Sequence, residues 1–502
     1  MSLLSSPKKP ALKILFVASE AAPFVKVGGL GEVMHSLPKA LREQGQDARV
    51  MIPRYAHVDA AKFPLKMELE QLRVGDPQTD PNAILVSNVL RHDSQDGSIT
   101  YFLENMEYYE KRANVYGYGD DTIRWVLLSK GTLEFVRQSS WKPDVIVACD
   151  WQAGFIANYL HTEYKNDPIL RGITTVFSIH NLRYQGMFDS HFINELDFDS
   201  GQRDIPALPD EGIIKLSGMR RGIMYADVIN TVSPTYAKEI LTEEFGETLQ
   251  GVLGERKARL FGVLNGIDTE SLNPETDPDL ATTYNAKSIE KRKDNKTALQ
   301  KQFGIATDPK KFVVGYVGRM DDQKGLDLVI QMADQLLDNL NMQLVMVGDG
   351  DPKYRTFFEK LKEKYPENLG IHFAFDNRLP RMIFSGADAV LVPSKFEPCG
   401  LVQLEAMRYG AVPIVRKVGG LADSVEDFNP ETGRGTGFVF EKYDPFSLTI
   451  AVVRACEIHK QEKVWSKIVK SAMAEDFSWH KSAKEYTKLF EMALRFHKDT
   501  QG

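Results

Sequence analysis

Nearly the same seven residues occur twice, once towards each end of the chain: Lys26-Val27-Gly28-Gly29-Leu30-Gly31-Glu32 and Lys417-Val418-Gly419-Gly420-Leu421-Ala422-Asp423. The first copy follows the apolar run Ile14-Leu15-Phe16-Val17, the second follows Val412-Pro413-Ile414-Val415. Each therefore reads as strand, glycine turn and helix start. Glycine lets backbone N–H groups come close to a ligand, and a helix N-terminus favours an anion there. Two such turns in two halves point to two nucleotide-fold domains facing one phosphorylated substrate. Two unrelated strand-to-helix turns would give the same pattern, because glycine pairs are common in α/β proteins.

The rest of the chain supplies strands for two such domains. At 502 residues it exceeds one ordinary hydrophobic core. Strands are expected at 13–19, 48–53, 145–149, 174–179 and 228–231, with helices between them at 122–138 and 153–163. Short β-branched runs alternating with longer amphipathic ones predict βαβ units and parallel sheets. The irregular segment 53–112 holds a turn cluster, Asp76-Pro77-Gln78-Thr79-Asp80-Pro81, and an expected antiparallel excursion at 83–89 and 99–104. A second series is expected at 312–317, 343–347, 371–375, 389–392 and 412–415, with helices at 325–340, 353–365 and 401–409. Residues 446–498 have helical periodicity and no strand. The expected organisation is a loose tail at 1–10, a first domain at 11–272, a polar linker at 273–296, a second domain at 297–475 and a closing helical segment at 476–502.

Composition excludes several classes. A hydrophobic content of 43%, a charged content of 26% and a net charge of −7 describe a soluble globular chain. Both signs of charge are interspersed, so no nucleic-acid partner is expected. No apolar stretch reaches membrane-spanning length, and the tail lacks the apolar core of a signal peptide. Cys149, Cys399 and Cys456 are far apart and odd in number. They fit a reducing compartment rather than a disulfide frame or a zinc site, so a cytoplasmic protein is expected.

The candidate chemistry lies where predicted strands end. Gly318 and Arg319 follow one strand and Lys324 opens the next helix, which places both cations at the carboxyl edge of a parallel sheet. A planar guanidinium and a mobile ammonium suit a diphosphate, although two solvated loop cations would look alike. Ser394-Lys395-Phe396-Glu397-Pro398-Cys399-Gly400-Leu401 also follows a strand. Glu397 can grip sugar hydroxyls or balance positive charge at a reacting carbon, or simply cap the following helix. Cys399 beside that helix start is expected to be drawn towards its thiolate and to react with thiol reagents. Asp150 and His180 end two strands of the first half; it is their convergence that raises a functional reading for them. No Gly-x-Ser-x-Gly elbow, His-Glu-x-x-His motif, Walker A loop or full Gly-x-Gly-x-x-Gly fingerprint is present.

Taken together, these motifs resemble those of the bacterial glycogen synthases and plant starch synthases, in order and spacing from about residue 13 to residue 486. The carriers include Ser19-Glu20, Lys26-Val27-Gly28-Gly29-Leu30, Tyr116-Gly117-Tyr118-Gly119-Asp120, Asp150-Trp151, His180-Asn181-Leu182 and Asn265-Gly266-Ile267-Asp268. In the second half they include Gly318-Arg319, Gln323-Lys324-Gly325, Phe396-Glu397-Pro398-Cys399-Gly400-Leu401 and Gly419-Gly420-Leu421-Ala422-Asp423. The resemblance implies an α/β GT-B fold: two Rossmann-like domains facing a deep cleft, with a C-terminal helix returning to the first. It implies transfer of glucose from ADP-glucose to the non-reducing end of an α-1,4-glucan, with retention and without metal or other cofactor. The implied partners are ADP-glucose or ADP and a glucan or maltooligosaccharide acceptor, with no membrane; the motifs carry no signature of oligomeric state. The implied catalytic set is Asp150, His180, Arg319, Lys324 and Glu397. The implied donor-binding set is Glu20, Lys26, Gly28, Gly29, Asn265, Gly318, Arg319, Lys324, Cys399, Gly400 and Leu401.

Three departures from the family pattern stand out. Val27 and Glu32 replace the family's usual Thr and Asp in the first loop, Gln152 stands where many bacterial members have His, and Val402 stands where some have Thr. None removes a principal charge. A diphosphate leaving group is already acidic and needs charge stabilisation more than a strong general acid, which two cations and helix N-termini can supply. No nucleophilic carboxylate for a double displacement is identifiable, so front-face substitution is the preferred route to retention. Competing readings are a non-catalytic glucan-binding scaffold, a related transferase using UDP-glucose or forming sucrose, and a glucan phosphorylase.

Overall fold

The computed structural model describes residues 10–75, 84–189 and 215–501. The tail at 1–10, apart from Pro10, and the turn cluster Asp76 to Pro81 lie outside the described residues, apart from the approach to the cluster at Gly75. Contacts divide the chain into two units. One takes in Met1–Val232, Ala237–Val263 and Ser482–Gly502; the other takes in Ser233–Tyr236 and Leu264–Lys481.

The first unit is built on strands whose side chains are buried on both faces, as a parallel sheet requires: in β1 (Lys13–Val17), Ile14 to Val17 have no exposure. The others are β2 (Asp47–Pro53), β3 (Lys66–Val74), β4 (Leu85–Asp93), β5 (Ile99–Glu104), β6 (Val145–Cys149) and β7 (Thr174–Ile179). A short antiparallel ribbon pairs β8 (Met187–Asp189) with β9 (Lys215–Ser217), and β10 (Val228–Thr231) and β11 (Leu260–Gly262) complete the set. The sheet order is β11-β10-β7-β6-β1-β2-β5-β4-β3. All pairings from β11 to β5 are parallel, and β4 is antiparallel to both β5 and β3. Thus β5 belongs to the parallel sheet and also opens the antiparallel excursion. The edge strand β3 has no counterpart in the sequence reading. Its register shifts twice against β4, and Gln71 has a φ of 52°, so the alternation that marks a strand is broken.

The second unit holds a six-stranded, wholly parallel sheet: β12 (Phe312–Val317), β13 (Met342–Val347), β14 (Leu369–His372), β15 (Ala389–Val392), β16 (Val412–Arg416) and β17 (Phe438–Phe440). Its order is β14-β13-β12-β15-β16-β17. The order reverses between β12 and β15, which is where open parallel sheets bind ligands. The strand expected at 371–375 ends at His372, leaving Phe375 in the following loop with 74% of its surface exposed.

Two expectations about organisation change. The units divide at Val263 and Leu264, and the stretch 273–296 is part of the second unit rather than a linker. Its Tyr284 hydroxyl donates to the Tyr409 carbonyl at 2.6 Å, and Lys296 Nζ pairs with Asp388 Oδ2 at 2.7 Å. Its Asn and Asp side chains accept from nearby amides, as Asn273 does from Glu275 and Asp277 from Asp279. Packed turns and linkers therefore share one composition. The final helix, Trp479–Gln501, buries Ala483, Tyr486, Leu489, Phe490 and Ala493 on one stripe. Within the first unit Phe490 meets Phe16 edge-on at 6.3 Å, and His497 Nδ1 lies 3.1 Å from Asp227 Oδ1. Among the described residues no helix is long and apolar enough to cross a membrane, and the three cysteines are buried and unpaired.

Candidate active-site residues

In the second unit, the loops after β12 and β15 flank the switch point. Gly325 has a φ of 70° and lies against the Pro393 carbonyl, where any side chain would collide. This close approach draws the start of the helix Leu326–Asn339 up to the loop after β15. Lys324 Nζ then reaches Glu397 Oε2 at 2.6 Å, and the Ser394 hydroxyl donates to the same oxygen at 2.7 Å. The Glu397 side chain is 7% exposed and that of Lys324 19%, so each charge needs the other. Arg319 is held at its guanidinium, by Asp321 Oδ2 at 3.0 Å and Gln323 Oε1 at 3.2 Å, and stays 45% exposed. Gln323 also ties the two loops, accepting the Lys395 N–H at 2.8 Å and donating to the Phe396 carbonyl at 3.4 Å.

The turn at Pro398 to Leu401 is fixed by Gln403. Its buried amide donates to the carbonyls of Cys399 (3.1 Å) and Gly400 (2.8 Å) and to Ser424 Oγ (3.2 Å). Lys324, Glu397, Gly400 and Leu401 line one narrow cavity with Ser394 and Gln403. Cys399 departs from the thiolate expectation. It is 6% exposed, and burial pushes its thiol up to about 12, although the Asn265 backbone N–H bonds to it. Asn265 is itself buried, and its Oδ1 has no hydrogen-bond partner among the described residues. The second glycine turn also differs from expectation. Gly420 N–H donates to the carbonyls of Glu397 (3.1 Å) and Pro398 (3.2 Å), and a side chain at Gly419 or Gly420 would strike the backbone of Glu397 or Cys399. This glycine pair seats the Glu397 turn, and the Gly420 amide is spent on protein.

In the first unit, Glu20, Asp150 and His180 follow the carboxyl ends of β1, β6 and β7, three neighbouring parallel strands. Asp150 has a φ of 54°, and its Oδ1 accepts the N–H groups of His180 (2.7 Å) and Asn181 (3.3 Å). Burial pushes its carboxyl up to about 7, with the charge of Glu20 adding, against the pull of the two amides. Burial likewise lowers His180 to about 4, which leaves a neutral imidazole, and its Nε2 lies 3.2 Å from Ser178 Oγ.

Glu20 is buried and fully engaged. Its Oε2 accepts the N–H groups of Val27 and of Gly28, the latter at 3.0 Å, and Tyr116 donates to Oε1 at 3.4 Å. The protein's own carboxylate therefore occupies the amides of Val27 and of Gly28, which precedes the helix Gly29–Glu43. Lys26 pairs with Glu32 at 3.0 Å in an exposed position, and Val27 is 61% exposed. Gln152, at the position where many family members carry His, is buried with Oε1 unpartnered among the described residues. Sequence reasoning assigned no role to Ser394, Gln403, Gln323 or Ser178. The one available signal was Gln403, a polar residue inside an otherwise apolar helix start.

Residues 13–255 match the starch synthase catalytic domain family and residues 297–471 match glycosyl transferases group 1. Two parallel-sheet units with cationic, carboxylate and imidazole groups at their strand ends, carrying these matches, define a hexosyltransferase of the GT-B class. A glycogen synthase of Thermotoga petrophila is 40% identical over 96% of this chain and 99% of its own length, and one of Geobacillus stearothermophilus is 39% identical over 97% and 99%. The chain belongs to the glycogen and starch synthase family. The catalytic domain of starch synthase IV from Arabidopsis thaliana, solved with ADP and acarbose, superposes with a TM-score of 0.87 at 31% identity, covering 97% of this chain and 100% of that one. Sucrose-phosphate synthase from Thermosynechococcus elongatus, at 17% identity and a TM-score of 0.58 over 95% of this chain and 98% of its own, shares the fold.

Proposed function

We propose that the protein transfers the glucosyl group of ADP-glucose to the non-reducing end of an α-1,4-glucan with retention of configuration. The observation that carries this reading is the Lys324–Glu397 pair at the switch point of the second sheet. One N–H of Lys324 is committed to Glu397, which leaves two for diphosphate oxygens, and Arg319 adds an exposed planar fork. Glu397 Oε2 is engaged by Lys324 and Ser394, so Oε1 is the oxygen left to accept a sugar hydroxyl. Phe375, exposed after a strand of the same sheet, offers a face for stacking the nucleobase.

The bond between the glucose anomeric carbon and the phosphate oxygen breaks, and its electron pair leaves with ADP. Lys324 and Arg319 stabilise the growing charge on the phosphate, the task for which preorganised cations are effective. The acceptor hydroxyl attacks the same face, and its proton passes to the departing phosphate oxygen. Asp150, held at one oxygen by two amides, balances positive charge at the anomeric carbon. His180, neutral, contributes a hydrogen bond to a sugar hydroxyl rather than a charge. Because Arg319 and Lys324 supply the cationic charge, the reaction in this reading uses no metal or other cofactor, and three unpaired cysteines suit a reducing, cytoplasmic setting. Radiolabel transfer to glycogen from ADP-glucose and from UDP-glucose tests the reading. Faster incorporation from ADP-glucose is expected; incorporation only from UDP-glucose, or from neither, contradicts it.

A further inference from the structure

A line of hydrogen bonds, part-buried at His180 and buried beyond it, runs from His180 to the C-terminal helix, entirely within the first unit. Ser178 and Asn230 are partners across β7 and β10, and both are buried. Asn230 Nδ2 lies 3.2 Å from Ser178 Oγ and 3.1 Å from the hydroxyl of Tyr486, itself 1% exposed on the helix Trp479–Gln501. Ser178 Oγ in turn lies 3.2 Å from His180 Nε2. None of Ser178, Asn230 and Tyr486 has a role in the transfer described above.

The proton count along this line is restrictive. With its amide as placed, Asn230 uses both N–H donors and leaves only Oδ1 unpartnered among the described residues. The opposite amide orientation would bury two unused N–H donors, which native interiors avoid more strictly than a spare acceptor. Ser178 Oγ accepts from Asn230, and among the described residues His180 Nε2 is the one acceptor within reach of its hydrogen, so leaving no buried donor unused requires the hydroxyl to donate to Nε2. That nitrogen is then an acceptor, and the ring proton must sit on Nδ1.

We propose that Tyr486, Asn230 and Ser178 are positioning residues that lock His180 in its Nδ1–H tautomer, so that the imidazole presents an N–H donor to the sugar. The role of His180 in transfer rests on the function proposed above; the tautomer does not. The Asn230→Asp variant replaces the donor with an acceptor. Ser178 must then donate to the carboxylate and accept from Nε2–H, which reverses the tautomer.

The test is ring nitrogen NMR on the full chain labelled with nitrogen-15 histidine, with the His180 signals identified by their loss in His180→Gln. The wild type should show Nδ1–H and Asn230→Asp should show Nε2–H. In that variant kcat should fall about ten-fold while KM for ADP-glucose stays within about two-fold, the signature of an interaction lost from the transition state. Tyr486→Phe, nearly isosteric, removes one of the two partners that fix the amide, so Nδ1–H should remain the main form with some Nε2–H beside it and a loss of about three-fold. An unchanged Nδ1–H signature in folded Asn230→Asp overturns the proposal. Whether or not that variant folds, an Nε2–H signature in the wild type overturns it. Full turnover by His180→Gln would remove His180 from the transfer reaction while leaving the tautomer result to stand by itself.

Discussion

Asp150→Asn should separate turnover from stability. Asp150 sits at a φ of 54°, a left-handed conformation that Asn adopts as readily, and an amide Oδ1 can still accept the N–H groups of His180 and Asn181. The substitution therefore removes the charge and keeps the backbone. Burial raises the carboxyl from 3.8 to about 7. Between those values the folded protein holds a proton that the unfolded chain has released, so wild-type stability falls as pH rises through the window, and the loss is complete above it. At about 1.4 kcal/mol per pKa unit, the full cost reaches about 4 kcal/mol as an upper limit. The amide pays none of this cost. Its stability advantage over wild type should widen by about 2 kcal/mol between about pH 5.5 and 7, then level off. Turnover should fall by about 10²–10³, the usual effect of deleting one preorganised electrostatic group. Denaturant unfolding across pH, paired with the transfer assay, gives both numbers. A stability difference that does not change with pH would refute the argument that Asp150 is a destabilised buried acid. Wild-type turnover would refute its role.

Lys324→Ala removes a charge-assisted contact of about 1.5–3 kcal/mol, so transfer should slow by about ten- to a hundred-fold with glucan binding unchanged; near-normal turnover would take Lys324 off the diphosphate. Turnover should survive exhaustive chelation, because in the proposed mechanism Arg319 and Lys324 supply the charge at the leaving group; activity lost to EDTA and restored by magnesium would show that a metal does that work. With its thiol pushed up to about 12, Cys399 should resist alkylation in the folded protein while all three cysteines react in denaturant, and Cys399→Ser should remain active. Rapid modification that ADP prevents, or a folded but inactive serine variant, would restore a chemical role for the thiol.

Much of the sheet architecture is legible in the chain because parallel strands are buried on both faces and read as short apolar runs; β6, β7, β10, β12 and β15 lie at the expected residues. What is illegible has physical causes. The edge strand β3 is bulged, so its side chains do not alternate. Residues 273–296 fold with the same turn-forming residues that a linker would use. Strand-end positions identify which residues come together near the switch points, but composition does not say what bonds to what. The Val27 and Gly28 amides are taken by Glu20, the Gly420 amide by carbonyls of the Glu397 turn, and Lys324 by Glu397 itself. Cys399 shows the limit most clearly. A position just before a helix suggests an acidic thiol, but only the packing around it reveals that burial wins.

Proton NMR of the first turnovers distinguishes retaining transfer of glucose to a glucan from inversion and from hydrolysis of the nucleotide sugar. With ADP-glucose and a maltooligosaccharide, the new anomeric signal should be that of an α-1,4-linked glucose, growing in step with ADP. A β-linked product would show an inverting transferase, and ADP accumulating with free glucose and no extended chain would show hydrolysis in place of transfer.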